Sequence, residues 1–162
     1  MNGSDFEARV SAVGERARAG GVDAVLVTPG PDLRYLIGYD AVPLERLTCL
    51  VVRADDTPLL VVPRLEVLAA QASPAGALPI EILTWGEHDD PFALVSTLLA
   101  EARSVALDNH MWAEKVLRLR DAMPGTDLSL AGAIISSLRM RKDDDEIASL
   151  LDAGAAIDAV HA

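Results

Sequence analysis

The sequence of 162 residues contains a single cysteine, Cys49, and few aromatic residues. One cysteine cannot form an internal disulfide, and it cannot supply the several thiolates of a cysteine-based metal site. Because Cys49 lies in an apolar, strand-like segment, we interpret it as a buried, unreactive thiol of a protein from a reducing compartment. Aromatic residues make up 4% of the chain and apolar residues 51%, so the sequence predicts a core built mainly from Leu, Val, Ile and Ala.

Positive charge is also scarce, with 14 Lys and Arg against 25 Asp and Glu and a formal net charge of −11. The phosphates of a nucleic acid would be repelled, and no stretch is rich in Lys or Arg, so nucleic acid is a poor partner. No uncharged apolar segment reaches bilayer length, and the first twenty residues contain charged side chains and no long apolar run. We therefore expect neither a membrane span nor a signal peptide, and we expect a cytoplasmic location.

Apolar periodicity, broken by Gly and Pro, alternates helices with strands along the chain. A first helix is expected to end at Gly20-Gly21, and a strand buried on both faces is expected over residues 22–28. After Pro29-Gly30-Pro31, a short helix is expected to end at Gly38. Further strands are predicted over residues 47–53, 58–62, 80–85, 104–107 and 126–130, and further helices over residues 63–72, 91–102, 111–123 and 131–138.

Two of these strands, residues 47–53 and 58–62, are separated only by the turn 54–57 and predict a hairpin. Alternation of helices and strands with a hairpin in the middle predicts an α/β fold, with a mixed, roughly six-stranded sheet and helices on both faces.

The C-terminal segment has a different character. Four consecutive carboxylates, residues 143–146, suit the N-terminus of a helix, where the peptide dipoles are positive. Apolar residues then recur along one face of that predicted helix: Ile147, Leu150, Leu151, Ile157 and Val160. Burial of each would contribute about 1.5–3 kcal/mol, so such a face normally has a partner. We expect residues 1–138 to form one domain and residues 139–162 to be a linker and the first helix of a second; the alternative is a helix that packs back on the sheet.

Two groups of polar residues follow predicted strands, where α/β proteins gather their sites. They are His88-Asp89-Asp90 and Asp108-Asn109-His110. Carboxylates and imidazoles bind divalent cations, so a stand-alone metal-dependent hydrolase built on His88, Asp89, Asp108 and His110 is one hypothesis. The alternative is that these Asp and Asn side chains cap helices and stabilise turns. Their spacing matches no metal-binding signature that we can name.

Several stretches, taken in order, resemble the N-terminal domain of the creatinase/prolidase family, the pita-bread metallopeptidases that include Xaa-Pro dipeptidase and aminopeptidase P. They are an Arg-containing first helix, "GVDAVLVTPGPDLRYLIGY", Arg46, a hairpin with "LLVVPRLE", and the closing "SSLRMRKDDDEIASLLDAGAAIDA". Two positions depart from the pattern, with Ile37 in place of the usual Thr and Tyr39 in place of the usual Phe. The resemblance implies the family's N-terminal fold, with its ribonuclease H-like motif.

The resemblance also implies that the chemistry belongs to another domain. In this family, two Asp, one His and two Glu of a C-terminal domain hold two divalent metals, such as Mn or Co, and a metal-bound water attacks the bond before proline. None of those ligands can be assigned to this chain. The resemblance therefore implies no catalytic residue, metal ligand or cofactor within it, and we expect the chain alone to be inactive.

What the resemblance implies for this chain is a role between subunits. The domain would build a homodimer and wall the neighbouring subunit's active site, with Tyr35, Tyr39, Asp40 and Arg46 as the residues that reach it. The alternative is a structural role, in which Tyr35 and Leu36 anchor the core and Gly38 serves the backbone geometry; for Tyr39 and Arg46 both interpretations are left open. A free-standing interaction module is the third hypothesis, and the parent protein's substrate, a prolyl peptide or a creatine-like molecule, is left open.

Overall fold

The computed structural model describes residues 3–53 and 56–161. Its strands are β1 (Ala24–Val27), β2 (Cys49–Arg53), β3 (Leu59–Pro63), β4 (Glu81–Trp85), β5 (Ser104–Leu107) and β6 (Asp127–Leu130). Its α-helices are α1 (Gly3–Ala19), α2 (Pro31–Ile37), α3 (Val67–Ala72), α4 (Pro91–Leu98), α5 (Ala113–Ala122), α6 (Gly132–Arg139) and α7 (Asp144–His161). Two 3₁₀ segments, Arg64–Glu66 and Pro74–Ala77, flank α3.

The strands form one mixed six-stranded sheet in the order β4-β3-β2-β1-β5-β6, which confirms the predicted fold class. Strand β2 is antiparallel to β1 and to β3, and the remaining pairs are parallel. The predicted hairpin is therefore confirmed, with Leu50 opposite Leu60; residues 54 and 55 of its turn lie outside the described residues. Because β1, β3, β4, β5 and β6 run in one direction, their carboxyl ends meet at the same edge of the sheet.

Helices cover both faces of the sheet. One cluster of buried side chains joins α1, α2 and α6 to the sheet, and a second joins α4 and α5 to the opposite face. Successive residues of β1 alternate between the two clusters: Val25 and Val27 belong to the first, Ala24 and Leu26 to the second, and all four are 0% exposed. This is the pattern expected of a strand that is covered on both sides.

Two helix boundaries differ most from the sequence-based prediction. Strand β3 continues through Pro63, which pairs with Trp85, so the helix predicted from residue 63 begins as 3₁₀ at Arg64 and becomes α-helical only at Val67. Helix α4 ends at Leu98 rather than at residue 102, because the chain turns there to enter β5; the Ala102 amide closes this turn by donating to the Leu99 carbonyl at 2.9 Å.

Gly38 ends α2, as predicted. It has a φ of 68°, and its amide donates to the Arg34 carbonyl. A Cβ at this position would lie 2.8 Å from the Phe6 ring and from the Pro74 side chain. The position therefore requires glycine both for its left-handed backbone and for the close approach of its neighbours.

Among the described residues, no helix is both long enough and apolar enough to cross a membrane.

Candidate functional site

The chain between Gly38 and β2, residues 39–48, forms an irregular loop at the carboxyl edge of the sheet. Asp40 is exposed, Arg46 is half-buried, and Val42 and Leu44 are 68% and 44% exposed. Tyr39 is only 6% exposed and belongs to the core cluster beneath α1 and α2. Burial raises the pKa of its phenol, and the nearby Glu66 carboxylate adds to the effect. This burial favours the core role for Tyr39, and a part in a subunit contact stays a prediction for it.

Side chains from distant elements hold this loop in place. The Lys115 ammonium, from α5, donates to the carbonyls of Leu44 at 2.7 Å and Arg46 at 3.3 Å. One residue further, the indole N–H of Trp85, from β4, donates to the Leu47 carbonyl at 2.9 Å. Side chains of α5 and β4 thus donate hydrogen bonds to loop carbonyls that would otherwise need water as a donor.

Arg46 lines a pocket of about 330 Å³ together with Arg64, Trp85 and His88. Its guanidinium Nη2 lies 3.6 Å from the Glu87 carboxylate, which is itself 77% exposed. Guanidinium groups bind carboxylates through paired hydrogen bonds of matching geometry. The Arg46 guanidinium therefore suits a carboxylate presented from outside the domain, if it displaces Glu87.

Of the other residues expected at a subunit contact, Asp40 is exposed and Tyr35 is partly buried. Asp40 makes an exposed ion pair with Arg34, at 3.4 Å between Oδ2 and Nη1. Tyr35 is partly buried beneath the guanidinium of Arg9, which lies 4.0 Å from the ring centroid and donates to the Tyr35 carbonyl at 3.0 Å. Burial raises the pKa of the Tyr35 phenol, against the opposing effect of Arg9. These contacts favour an anchoring role for Tyr35.

Arg9 also joins α7 to the domain. Its Nη2 lies 2.7 Å from Asp143 Oδ2 and 3.3 Å from Glu146 Oε1, so both carboxylates at the start of α7 contact one largely buried cation. Asp143 and Glu146 cap the helix reciprocally, each accepting from the other's amide, at 3.1 Å and 2.8 Å. The predicted acidic helix N-terminus is therefore confirmed as a capping box.

The hypothesis of a metal site built on His88, Asp89, Asp108 and His110 is contradicted by the strand order. The first two residues follow β4 and the last two follow β5, and three strands lie between these in the sheet. Four strand spacings place the pairs about 19 Å apart, too far to share an ion. Within residues 3–53 and 56–161, no three His, Cys, Asp or Glu side chains converge as a metal site requires.

The aspartates of these groups perform local structural tasks instead. Asp90 caps α4 by accepting from the Phe92 amide at 2.9 Å, and Asp89 accepts from the Gly86 amide at 2.7 Å. Asp108, only 4% exposed, ties the end of β5 to the end of β1. Its Oδ2 accepts from both the amide and the hydroxyl of Thr28, and its Oδ1 from the His110 amide, each at 2.7 Å.

Sequence reasoning missed Lys115, which is 3% exposed. The sequence does contain one indication of this burial, because Lys115 lies four residues from Met111 and four from Leu119. In the structure all three residues are buried. Burial lowers the pKa of the Lys115 ammonium, and the neighbouring Glu114 and Asp108 carboxylates oppose this. Cys49 is itself fully buried, and burial raises the pKa of its thiol far above its ordinary value, in agreement with the interpretation of an unreactive thiol.

Comparison with known proteins matches this architecture to one family. Residues 9–141 match the family described as the creatinase/prolidase N-terminal domain. The chain is 44% identical over 143 residues to a probable dipeptidase, PepE, of Mycobacterium tuberculosis, an alignment that covers 88% of this chain and 38% of that protein.

Solved structures agree. The crystal structure of dipeptidase PepE from Mycobacterium ulcerans superposes with a TM-score of 0.92 at 37% identity, covering 99% of this chain and 43% of that one. The N-terminal domain of a Xaa-Pro dipeptidase from Lactobacillus brevis has the same fold, with a TM-score of 0.67 at 19% identity over 77% of this chain and 96% of that one. The chain thus spans about two fifths of the length of the PepE proteins that it matches. The extent of the family match and the level of identity together establish that this chain belongs to the creatinase/prolidase N-terminal domain family.

Proposed function

We propose that this chain acts as the non-catalytic N-terminal domain of a Xaa-Pro dipeptidase-like metallopeptidase, in which it supports a homodimer and forms part of the wall of the neighbouring subunit's active site. The observation that carries the proposal is the apolar face of α7 in a chain that matches about two fifths of a dipeptidase. The described residues do not provide a ligand set for a pair of divalent metals, so we assign the metal ions to a second domain.

The exposure of α7 supports a second domain directly. Its large apolar side chains are between 46% and 82% exposed: Ile147, Leu150, Leu151, Ile157 and Val160. Apolar faces of this kind mark interaction surfaces. The superposition on the M. ulcerans dipeptidase covers 99% of this chain, so α7 lies within the matched part of that longer protein. We therefore assign residues 1–138 to the present domain and residues 139–162 to the junction with a catalytic domain.

The loop 39–48 supports the role at a neighbouring active site. It places Asp40 on the surface and Arg46 at a pocket with a second arginine, next to the exposed apolar side chains of Val42 and Leu44. A substrate with a free carboxylate, such as a dipeptide or a creatine-like molecule, could be bound there by Arg46 while a metal site in the partner subunit acts on its other end.

A chimera tests this function. The chain replaces the aligned part of the M. tuberculosis dipeptidase, and hydrolysis of a Xaa-Pro dipeptide is measured with Mn²⁺, with creatine as the alternative substrate. We expect a dimeric, active chimera in which Arg46→Ala raises KM at least about tenfold through the loss of a charge-assisted contact. Arg120→Ala serves as the matched control, because Arg120 pairs only with its exposed neighbour Asp121 among the ion pairs described.

Two results would contradict the proposal. Hydrolysis of a Xaa-Pro dipeptide by the pure 162-residue chain with added Mn²⁺ or Co²⁺ would show that the domain is itself catalytic. An active chimera in which Arg46→Ala and Arg120→Ala have the same KM would remove Arg46 from the substrate site.

A further inference from the structure

The loop 39–48 has no repeating backbone structure, yet a buried cation contacts it at two points. The Lys115 ammonium accepts no hydrogen bonds and offers three donors, and it donates to the carbonyls of Leu44 at 2.7 Å and Arg46 at 3.3 Å. These carbonyls are two residues apart, so a single ammonium that bridges them restrains the backbone of Glu45 between them. Lys115 reaches the first of these carbonyls across 71 positions of sequence.

Neighbouring contacts extend this restraint into the sheet. The Trp85 indole holds the Leu47 carbonyl, and the Thr48 hydroxyl donates to the Glu66 carboxylate at 3.1 Å. Regular pairing with β3 begins at the next residue, Cys49. On the outer side, the ring of Trp112 lies 5.0 Å from the Lys115 ammonium, at a distance typical of a cation–π contact.

From this geometry we infer that Lys115 is a positioning residue for Arg46. Its ammonium holds the loop backbone in one conformation, so that the Arg46 side chain faces its pocket before any partner or substrate arrives. A binding group that is ordered in advance loses less conformational entropy when it binds. The loop's order does not depend on the proposed function; only the consequence for substrate binding rests on it.

If Lys115 instead stabilised the domain as a whole, its replacement would destabilise every element and not the loop alone. Burial disfavours the charged form of Lys115 and lowers its pKa, so the cation weakens rather than strengthens the folded state near neutral pH. The two acceptors of Lys115 are carbonyls of a loop whose residues 42–45 are exposed, so water can take the place of the lost donors there. Loss of the ammonium should therefore loosen the loop without unfolding the domain.

Lys115→Met separates these effects, because methionine keeps most of the aliphatic stem and removes the donors. Backbone ¹⁵N order parameters within residues 41–48 should fall from about 0.85, the value of a rigid backbone, towards the value of a flexible one, below about 0.6. The order parameters of β1 and the thermal unfolding midpoint should stay close to those of the wild-type chain. Lys142→Met is the matched control, since Lys142 is exposed and donates only to the nearby Met140 carbonyl among its described contacts; it should leave the loop unchanged.

Lys115→Arg tests whether the donors are the cause, and it should restore part of the loop order. If Lys115→Met does not fold, Trp85→Phe provides an independent measurement: it removes the donor to Leu47 and should lower the order parameters at residues 46–48 alone. Unchanged loop order parameters in both variants, or lower values spread evenly over the whole domain, would overturn the inference.

The chimera then connects the loop to function. With Lys115→Met we expect a higher KM and an unchanged kcat, because Arg46 is misplaced while the metal site is intact. If Arg46→Ala leaves KM unchanged but the loop still loosens in Lys115→Met, the proposed function fails and the positioning of the loop stands.

Discussion

Arg9 and Asp143 lie 134 positions apart in the sequence, and Arg9 Nη2 donates to Asp143 Oδ2 at 2.7 Å. The same guanidinium lies over the ring of Tyr35 and 3.3 Å from Glu146. A largely buried cation near the middle of α1 thus holds the start of α7 against the rest of the fold. If the proposed function is correct, this contact would help to orient a catalytic domain joined through α7.

Arg9→Leu should therefore release the start of α7 without unfolding the sheet. Leucine preserves apolar contact with Phe6 and Tyr35, but Asp143 and Glu146 lose their shared cation. We expect faster amide exchange over residues 144–150 and unchanged exchange in β1 and β5. Arg16→Leu is the control on the same helix, because Arg16 is exposed and donates only to the Ala12 carbonyl among its described contacts, at 3.3 Å. Equal exchange of α7 in both variants would show that Arg9 does not hold the helix.

The capping box predicts how α7 responds to acid. The pKa of Asp143 is lowered by the hydrogen bond from the Glu146 amide and, to a smaller extent, by Arg9. A lowered folded-state pKa means that this stabilisation is present above the unfolded value of about 3.9 and is lost as the pH falls through the folded-state pKa. At a pH below about 4, the amides of residues 144–150 should lose protection from hydrogen exchange, and they should do so before the amides of the sheet. In Asp143→Asn this step should disappear, and an identical acid response in the two proteins would contradict the assignment.

Asp108 should behave as a structural residue and not as a metal ligand. Its buried carboxylate accepts three hydrogen bonds, two of them from Thr28. Asp108→Ala would leave these donors unpaired and should lower the free energy of unfolding by about 2–4 kcal/mol. Asp89→Ala, at an exposed position in the loop after β4, should cost less than about 1 kcal/mol. Denaturant unfolding measures both values. If added Mn²⁺ stabilised the wild-type chain and Asp108→Ala abolished that effect, the hypothesis of a metal site at Asp108 would be restored.

Alanine at Gly38 and alanine at Gly154 should have opposite effects on the stability of the fold. Alanine at Gly38 would adopt an unfavourable positive φ, and its Cβ would meet the Phe6 ring and Pro74 at 2.8 Å, so we expect a loss of about 2–4 kcal/mol in the free energy of unfolding. Gly154 lies within α7 and has open space around its Cα, so alanine there should favour the helix by about 0.5–1 kcal/mol. Thermal unfolding followed by circular dichroism compares the two. A neutral Gly38→Ala would show that the α2 terminus relaxes more easily than its contacts indicate.

The elements that the sequence predicted well are those encoded by local patterns. The four residues of β1 are apolar without interruption, and a strand of this kind is stable only when both faces are covered. Pro91 begins α4 and Gly38 ends α2, because the backbone geometry that each residue allows is a property of that residue alone. The acidic start of α7 follows in the same way from the helix dipole.

The candidate site was less predictable because it depends on which distant elements meet. His88 and Asp108 both follow strands, and sequence alone does not reveal that β3, β2 and β1 separate those strands. Tyr39 follows a glycine in a loop, a position that is commonly exposed, but its ring turns into the core beneath α1. The pairing of Lys115 with the Leu44 carbonyl is a contact over 71 positions, and no local pattern specifies it.

By itself, the sequence determined the succession of helices and strands, the hairpin, the covered central strand and the resemblance to a single family, because burial periodicity and turn chemistry act over a few residues. Only the tertiary structure decided that the polar groups after β4 and β5 lie far apart, that Asp108 joins β5 to β1 through hydrogen bonds, and that Lys115 contacts the loop that carries Arg46. Those outcomes depend on strand order and on side chains that cross between elements, and both arise only when the whole chain packs around one sheet.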